Sequence, residues 1–232
     1  MIADRVNAVR ERIARAAERA SRPGDEITLV AVSKTFPAEA VREAFAAGVR
    51  AFGENRVQEA EPKVASTADL AASGLRWHLV GHLQSNKARR AAGLFDLIQS
   101  VDSLELAKRL AGQGGGKARP VRALVQVDLA GEETKFGLSE RDLLETLEAL
   151  RGQEGIRVEG LMVLPPFYDD PGEARPYFRR LRALRDRAAG EGLLASRELS
   201  RGLSHDLEVA VEEGATMVRV GTAIFGERRA AA

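Results

Sequence analysis

The stretch Ile27-Thr28-Leu29-Val30-Ala31-Val32-Ser33 is short, mostly apolar and rich in β-branched residues. Such a run is typical of a parallel strand that is buried on both faces of its sheet. Residues 2–20 precede it with apolar side chains three or four positions apart, which predicts an amphipathic helix. Lys34 follows the run directly. The sequence therefore predicts a helix and then a buried parallel strand with a lysine at its carboxyl end.

The strand pattern returns along the chain, and helix-like stretches separate the strands. Further strands are predicted near residues 51–53, 76–81, 95–101, 121–128, 158–164, 197–200 and 217–221, and helices at 37–47, 56–68, 86–92, 103–111, 139–151, 172–189 and 204–213. Strict alternation favours parallel pairing with the helices outside, and eight units close into a (β/α)8 barrel. An open doubly wound sheet is the alternative, but the chain lacks both glycine-rich phosphate fingerprints of such folds. We therefore expect residues 1–232 to form a single α/β domain, a TIM barrel with an extra N-terminal helix.

Composition narrows the classes of function. The 232-residue chain has 35 basic and 34 acidic residues, and its formal net charge is +1. A chain this close to neutral lacks the field that would hold nucleic acid or an anionic membrane, and no apolar run approaches the roughly 20 residues that span a bilayer. The absence of cysteine excludes disulfides, thiolate metal sites and thiol catalysis. We expect a cytoplasmic monomer with no metal, nucleic-acid or membrane partner.

Functional side chains collect at the carboxyl ends of the predicted strands, where barrel enzymes carry their chemistry. The residues at these ends are Lys34, Glu54, Asn55, His78, His82, Ser100, Asp102, Gln126, Asp128, Met162, Ser200, Arg219, Gly221 and Thr222. A random surface would seldom gather a lysine, histidines, amides, hydroxyls and an arginine in one ring. The pattern therefore indicates a binding or catalytic site at this end of the barrel.

Lys34 is informative because the chain has 6 lysines and 29 arginines. Alternation along the first strand places Lys34 on the same side as Val30 and Val32, toward the barrel axis. An amine in that position can condense with a carbonyl to form a Schiff base, which an arginine cannot do. The alternative is a lysine at the barrel mouth whose ammonium group lies in water.

The turns after strands seven and eight have phosphate-binding character. Ser200 and Ser204 flank Gly202 in the first turn, and Gly221 and Thr222 form the second. Glycines let backbone N–H groups approach an anion, hydroxyls add donors, and the loops after strands seven and eight often bind phosphate in barrel enzymes. The alternative is that Ser204 and Thr222 cap the helices that follow.

An inward lysine and a phosphate site together suggest an aldehyde that carries a phosphate, and pyridoxal phosphate (PLP) is the obvious candidate. Arg219 would then face the pyridine nitrogen. An arginine there leaves the nitrogen unprotonated and weakens the ring as an electron sink. The alternative for Arg219 is a salt bridge at the barrel end.

Four segments of the chain resemble the YggS/PROSC family of pyridoxal phosphate homeostasis proteins. They are LVAVSKT at 29–35, FGENRVQE at 52–59, WHLVGHLQSNK at 77–87 and MVRVGTAIFG at 217–226. The match runs in order over nearly the whole chain. It implies a barrel like the N-terminal domain of bacterial alanine racemase, with PLP held on Lys34 as an internal aldimine.

The resemblance also implies the remaining PLP contacts. They are the pocket residues Asn55 and His78, the apolar wall Met162, the pyridine partner Arg219, and the phosphate ligands Ser200, Ser204, Gly221 and Thr222. Core packing is the alternative for Met162. Residues 200–206 read SRGLSHD where the family usually has S-x-G-M-S-x-D, and Phe36 stands where some members carry a second lysine.

The family is regarded as buffering or delivering PLP, so PLP-dependent apo-enzymes would be the recipients. An alanine racemase needs a lysine and a tyrosine on opposite faces of the cofactor, and neither Tyr168 nor Tyr177 obviously supplies the tyrosine. We therefore expect PLP binding without robust turnover, and the alternative is a Schiff-base barrel enzyme, either an aldolase or a residual racemase. Lys135, after strand five, is a candidate to receive the aldehyde during transfer, with a solvated loop lysine as the alternative.

Overall fold

The computed structural model describes residues 1–114, 119–131 and 136–227. Eight parallel strands in these ranges form a closed barrel, in which each strand pairs with the next along the chain and the last pairs with the first. The register of the closing pair sets Thr28 beside Met217 and Val30 beside Arg219. The predicted barrel is thereby confirmed, and the chain does not form the open doubly wound sheet.

Strands and helices alternate as the sequence predicts. The strands are β1 Thr28–Val32, β2 Ala51–Glu54, β3 Arg76–Leu79, β4 Leu97–Val101, β5 Val121–Val127, β6 Ile156–Val163, β7 Glu198–Ser200 and β8 Met217–Val220. The helices are α1 Ile2–Arg19, α2 Ala38–Ala46, α3 Val57–Ser66, α4 Ala88–Leu94, α5 Leu104–Ala111, α6 Glu140–Leu150, α7 Arg175–Gly190, α8 Leu207–Glu212 and α9 Thr222–Phe225. Within the described ranges, no helix combines the length and apolarity required to cross a lipid bilayer.

Three helical segments differ from the expectation. α8 begins at Leu207 rather than at residue 204, because Asp206 Oδ1 accepts a hydrogen bond from the backbone N–H of Leu203 and closes a loop before the helix. A short 3-10 helix, Pro171–Ala174, precedes α7. α9 has no counterpart among the predicted helices, because four residues are too few to show a hydrophobic period.

Two apolar layers hold the barrel together. The larger layer lies between the strands and the surrounding helices, and α1 closes the ring of helices by packing against α2, α8 and α9. Alternation along each strand separates the layers, so that Val30 faces the barrel interior while Ala31 faces the helices. The inner layer consists of Val30, Ala51, Leu97, Leu124, Met162 and Met217.

Candidate functional site

A cavity of about 270 Å³ opens at the carboxyl ends of the strands, and we call it the mouth cavity. Its size is close to the lower end of the range for small-molecule sites, roughly 300–1,000 Å³. It is lined by Val32, Lys34, Asn55, Val80, Gly81, His82, Gln126, Phe136, Leu164, Leu203 and Arg219. Three of the predicted site residues, Lys34, Asn55 and Arg219, are therefore brought to one cavity.

The turn that carries Lys34 is held by the neighbouring residue Ser33. The Ser33 hydroxyl donates a 2.6 Å hydrogen bond to Glu54 Oε1, and both side chains are fully buried. Lys63 Nζ reaches the same carboxylate oxygen at 2.6 Å and donates to the Ser33 carbonyl at 2.7 Å. These two donors hold Glu54 Oε1 in place, whereas Glu54 Oε2 is buried without a hydrogen-bond partner among the described residues. The base of Lys34 is thus fixed by α3 and by the end of β2.

The backbone after Lys34 is strained. Thr35 has a φ of 68°, in the left-handed region that β-branched residues rarely adopt. The backbone N–H of Phe36 donates to the Ser33 carbonyl at 3.1 Å, and the Phe36 ring stacks on Phe225 of α9 with centroids 5.2 Å apart. Such strain persists only where the surroundings over-determine the conformation, and it concentrates at functional sites. The tight turn leaves Lys34 at the lining of the mouth cavity.

Arg219 lies at the inner end of the mouth cavity and is 2% exposed. Its Nη1 donates to Ser200 Oγ at 2.5 Å, and its Nη2 donates to the Val163 carbonyl at 2.8 Å. Burial lowers the pKa of Arg219 to about 10, against an opposing contribution from Asp206. The guanidinium group therefore remains charged at neutral pH. Its position next to the cavity suits a ligand group that accepts hydrogen bonds.

The turns after β7 and β8 meet, as the phosphate prediction requires. Ser204 Oγ lies 3.4 Å from the backbone nitrogen of Ala223, in the first turn of α9. Ser204 therefore contacts the helix after β8 rather than capping α8, while Gly221 is the N-cap of α9 and Thr222 is its first residue. Gly202 has a φ of 84°, and a Cβ there would lie 2.5 Å from Ala210 Cβ, so the turn needs glycine.

Two predicted residues, Ser200 and His78, lie deeper in the barrel. Ser200 is fully buried, and its hydroxyl contacts Arg219 and Gln99. His78 lines a cavity of about 790 Å³ at the opposite, amino-terminal end of the barrel, which we call the basal cavity. Burial and the nearby Arg122 lower the pKa of His78 to about 3, so it is neutral. The structure does not bring either side chain to the mouth cavity, and their PLP contacts stay predictions.

Asn55 and Met162 occupy different environments. Asn55 lines the mouth cavity, and Gly81 approaches it so closely that a Cβ on Gly81 would lie 2.4 Å from the Asn55 carbonyl oxygen. Met162 is fully buried in the inner apolar layer. This position fits the core-packing alternative, and the wall of the mouth cavity beside Arg219 is formed instead by Leu164.

The mouth also contains a contact between His82 and Asp102. The sequence places both residues at strand ends but does not predict that they contact each other. His82 Nδ1 lies 2.7 Å from Asp102 Oδ2, and the His82 ring stacks on Phe136 with centroids 3.6 Å apart. Gln126 Nε2 donates to the Phe136 carbonyl at 2.5 Å. Asp102 directly follows β4, so the only sequence signal was its position. Lys135 lies outside the described residues.

Comparison with known proteins gives a consistent result. Residues 5–229 match the family "Alanine racemase, N-terminal domain". The pyridoxal phosphate homeostasis protein of Aquifex aeolicus is 42% identical over 226 residues, covering 97% of this chain and 98% of that protein. The protein of the same name from Escherichia coli K12 is 40% identical over 232 residues, covering 98% and 97%.

Solved structures show the same relationship. PipY of Synechococcus elongatus PCC7942 in its PLP-bound form is 41% identical with a TM-score of 0.84. The alignment covers 97% of this chain and 100% of the PipY chain. Its structure without PLP gives a TM-score of 0.87 at 42% identity, with the same coverage. Alanine racemase from Corynebacterium glutamicum, at 21% identity and a TM-score of 0.67, shares the fold over 62% of its chain. The chain belongs to the family of pyridoxal phosphate homeostasis proteins, which carry the alanine racemase N-terminal domain fold.

Proposed function

We propose that this protein binds PLP in the mouth cavity as a Schiff base on Lys34, and that it holds and delivers the cofactor without robust turnover. The observation that carries the proposal is that Lys34 and Arg219 line one cavity, beside the joined turns of Ser204 and Gly221. The PLP-bound structure of a relative at 41% identity supports the binding of PLP.

The residues at the mouth fit the three chemical parts of PLP. The amine of Lys34 suits the aldehyde, and the guanidinium of Arg219 suits a pyridine nitrogen that accepts a hydrogen bond. The hydroxyls of Ser204 and Thr222 and the backbone N–H groups around Gly221 suit the phosphate. Asn55, which directly follows β2, would contact the ring. Ser200 and His78, which lie deeper in the barrel than Arg219, would affect the cofactor from that side.

Attachment of the cofactor needs no co-reactant. The Lys34 Nζ lone pair adds to the aldehyde carbon, a C=N bond replaces the C=O bond, and one water molecule leaves. A free amine can displace Lys34: it adds to the same carbon, its own C=N bond replaces the one to Lys34, and the Lys34 amine leaves, so a cofactor held in this way can be passed on. When bound, PLP supplies an electron-withdrawing ring to an attached amine.

The mouth offers little support for reactions that use the PLP ring as an electron sink. A guanidinium group cannot give up its proton to the pyridine nitrogen, so Arg219 leaves the ring as a weak electron sink. Tyr168 and Tyr177 hydrogen-bond to each other through their hydroxyls at 2.9 Å, and neither is among the described residues that line the mouth cavity. A second base on the opposite face of the cofactor, as a racemase needs, is therefore not provided by either tyrosine.

We further propose that the protein acts as a cytoplasmic monomer and that PLP-dependent apo-enzymes receive the cofactor. Light scattering would test the oligomeric state. Activation of an apo-enzyme by the PLP-loaded protein, measured against an equal amount of free PLP, would test delivery.

The absorbance spectrum tests the binding proposal. Wild-type protein mixed with PLP should develop a visible aldimine band that hydroxylamine removes by forming the oxime, and borohydride followed by mass spectrometry should place the cofactor on Lys34. Lys34→Ala should abolish both signals, whereas Lys108→Ala, which removes an exposed lysine of α5, should leave them intact. A wild-type protein without the band would contradict the proposal.

Turnover is tested separately. Alanine and serine should racemise no faster with the loaded protein than with free PLP. Racemisation at enzyme-like rates would refute the non-catalytic part and favour the residual-racemase alternative. A protein that stays colourless with PLP but forms a reducible adduct with a sugar phosphate would favour the aldolase.

A further inference from the structure

Four polar side chains form a continuous chain through the barrel interior. Arg219 Nη1 lies 2.5 Å from Ser200 Oγ, which lies 2.5 Å from Gln99 Oε1. Gln99 Nε2 lies 2.9 Å from His78 Nδ1. The residues come from β8, β7, β4 and β3, and each is at least nine-tenths buried. The chain therefore connects the mouth cavity, lined by Arg219, with the basal cavity, lined by His78.

The directions of the hydrogen bonds follow from the arginine together with the placement of the Gln99 amide, whose Oε1 lies at Ser200 and whose Nε2 lies at His78. A guanidinium group has only donors, so Ser200 Oγ accepts from Arg219. The Ser200 proton is then donated to Gln99 Oε1, which can only accept. The Gln99 amide, placed in this orientation, directs its NH2 group at His78 Nδ1. A neutral imidazole that accepts at Nδ1 carries its proton on Nε2.

We infer that Gln99 and His78 are positioning residues for Arg219: they orient the Ser200 hydroxyl so that it accepts from the guanidinium, and His78 is held as the Nε2-protonated tautomer. Gln99 has a second contact that restricts its amide, because Nε2 lies 3.8 Å from Met217 Sδ. At the other end of the chain, burial and the positive charge of Arg122 lower the pKa of His78 and so disfavour an imidazolium. A neutral His78 can accept at Nδ1 and so completes the chain.

The chain affects the mouth through the donors that Arg219 has left. Ser200 Oγ and the Val163 carbonyl each take one N–H of the guanidinium, and this fixes the plane of the group. The remaining N–H donors are then presented to the mouth cavity in one orientation. A fixed orientation lowers the entropic cost of binding a ligand acceptor. This consequence rests on the proposed PLP site, whereas the direction of the hydrogen bonds does not.

The direction of the hydrogen bonds between Arg219 and His78 can be tested without any cofactor. The protein has 3 histidines, His78, His82 and His205, so a two-dimensional ¹H–¹⁵N spectrum of the imidazole rings can be assigned with single His→Gln variants. At neutral pH, His78 should show a pyridine-type Nδ1 resonance and a pyrrole-type Nε2 resonance. A pyrrole-type Nδ1 on His78 would overturn the inference, because Gln99 would then have to accept from it.

The positioning role is tested with Gln99→Met, which preserves the length of the side chain and removes its strong hydrogen-bonding groups. We expect the Kd for PLP to rise about tenfold, the equivalent of about one hydrogen bond, and the visible band to shift. Leu97→Met, at the preceding inward position of β4, should leave both unchanged. An unchanged Kd and band in Gln99→Met would refute the positioning role. A wild-type protein that does not bind PLP would refute the proposed function alone, because the NMR measurement needs no cofactor.

Discussion

Two buried arginines on neighbouring strand ends, Arg201 and Arg219, have opposite surroundings. Arg201 directly follows β7, is fully buried and turns outward, where it donates to the backbone carbonyls of Phe178 and Glu213. Its guanidinium also lies 5.6 Å from the centroid of the Phe178 ring. Arg219, on β8, turns inward to Ser200 and the mouth cavity. Burial lowers the pKa of both side chains, to about 9 for Arg201 and about 10 for Arg219.

The difference indicates that Arg201 has a structural role and that Arg219 has a ligand-binding role. Arg201 Nη1 and Nη2 donate to helix carbonyls, including that of Glu213 at the C-terminal end of α8, where a cation is favourable, whereas Nε is buried without a partner among the described residues. The Glu213 carboxylate is itself paired with Arg175 at 2.7 Å. Arg219 instead divides its donors between the protein and a cavity. Of two residues with the same side chain and similar burial, only the one that faces the cavity is available to a ligand.

The largest expected effect on stability comes from Arg201→Met. This change removes the charged donor of the Phe178 carbonyl and one of two charged donors of the Glu213 carbonyl, which keeps Arg182 Nη1 at 3.1 Å. Hydrogen bonds to charged groups are worth roughly 1.5–3 kcal/mol each. Relief of the cost of burying the charge offsets part of the loss. We expect the free energy of unfolding in urea to fall by about 3 kcal/mol, with PLP binding retained at low denaturant.

Arg187→Met on α7 is the matched control, because Arg187 is largely exposed and its one ion pair with another described residue is that with Glu191, at 3.0 Å. Its free energy of unfolding should change by less than about 1 kcal/mol. Equal losses in the two variants would mean that the carbonyl contacts of Arg201 do not stabilise the helix layer.

Arg219→Met should have the opposite effect to Arg201→Met, with a large loss of PLP affinity and a smaller loss of stability. Loss of the guanidinium removes the donors offered to the cofactor, so we expect the Kd for PLP to rise about 100-fold, or about 2.7 kcal/mol. The free energy of unfolding without PLP should fall by less than in Arg201→Met, because removal of the charge also removes its desolvation cost. Fluorescence titration with PLP measures the first quantity, and urea unfolding measures the second. A variant that unfolds readily but binds PLP normally would contradict our assignment of the two arginines.

The pH dependence of stability should report the neutral His78. The pKa of His78 is about 3 in the folded protein and about 6.5 in the unfolded chain, so between these values the unfolded state binds one more proton. Stability therefore falls as the pH decreases from about 6.5 toward 3, by about 1.4 kcal/mol per unit. Urea unfolding at pH 7 and pH 5 should show a loss from this residue of about 2 kcal/mol. His78→Gln should lose this contribution, and an identical pH dependence in the variant would show that His78 is not held neutral.

The smallest expected effect is that of Met162→Leu. Met162 packs with Val30, Leu124 and other residues of the inner apolar layer, and swaps that conserve volume in a core cost less than about 1.5 kcal/mol. The Kd for PLP should stay within about twofold of the wild-type value, because Leu164 rather than Met162 lines the mouth. A large loss of affinity would restore Met162 as a wall of the site.

The sequence was sufficient for the barrel because each strand has its own local signal, a short apolar run followed by a helical period. It also identified Lys34 and Arg219, whose positions at strand ends suffice to bring them together. It could not reveal that Gln99 links Ser200 to His78, because this contact joins residues 101 and 21 positions apart. The partnership of Ser204 with α9 depends in the same way on how two loops pack.

A crystal structure grown with PLP tests the central claim most directly. We predict continuous electron density from Lys34 Nζ to the cofactor, with the pyridine nitrogen within hydrogen-bond distance of Arg219 and the phosphate between the turns of Ser204 and Gly221. An empty mouth cavity, or PLP attached to another lysine while Lys34 points away, would contradict the account.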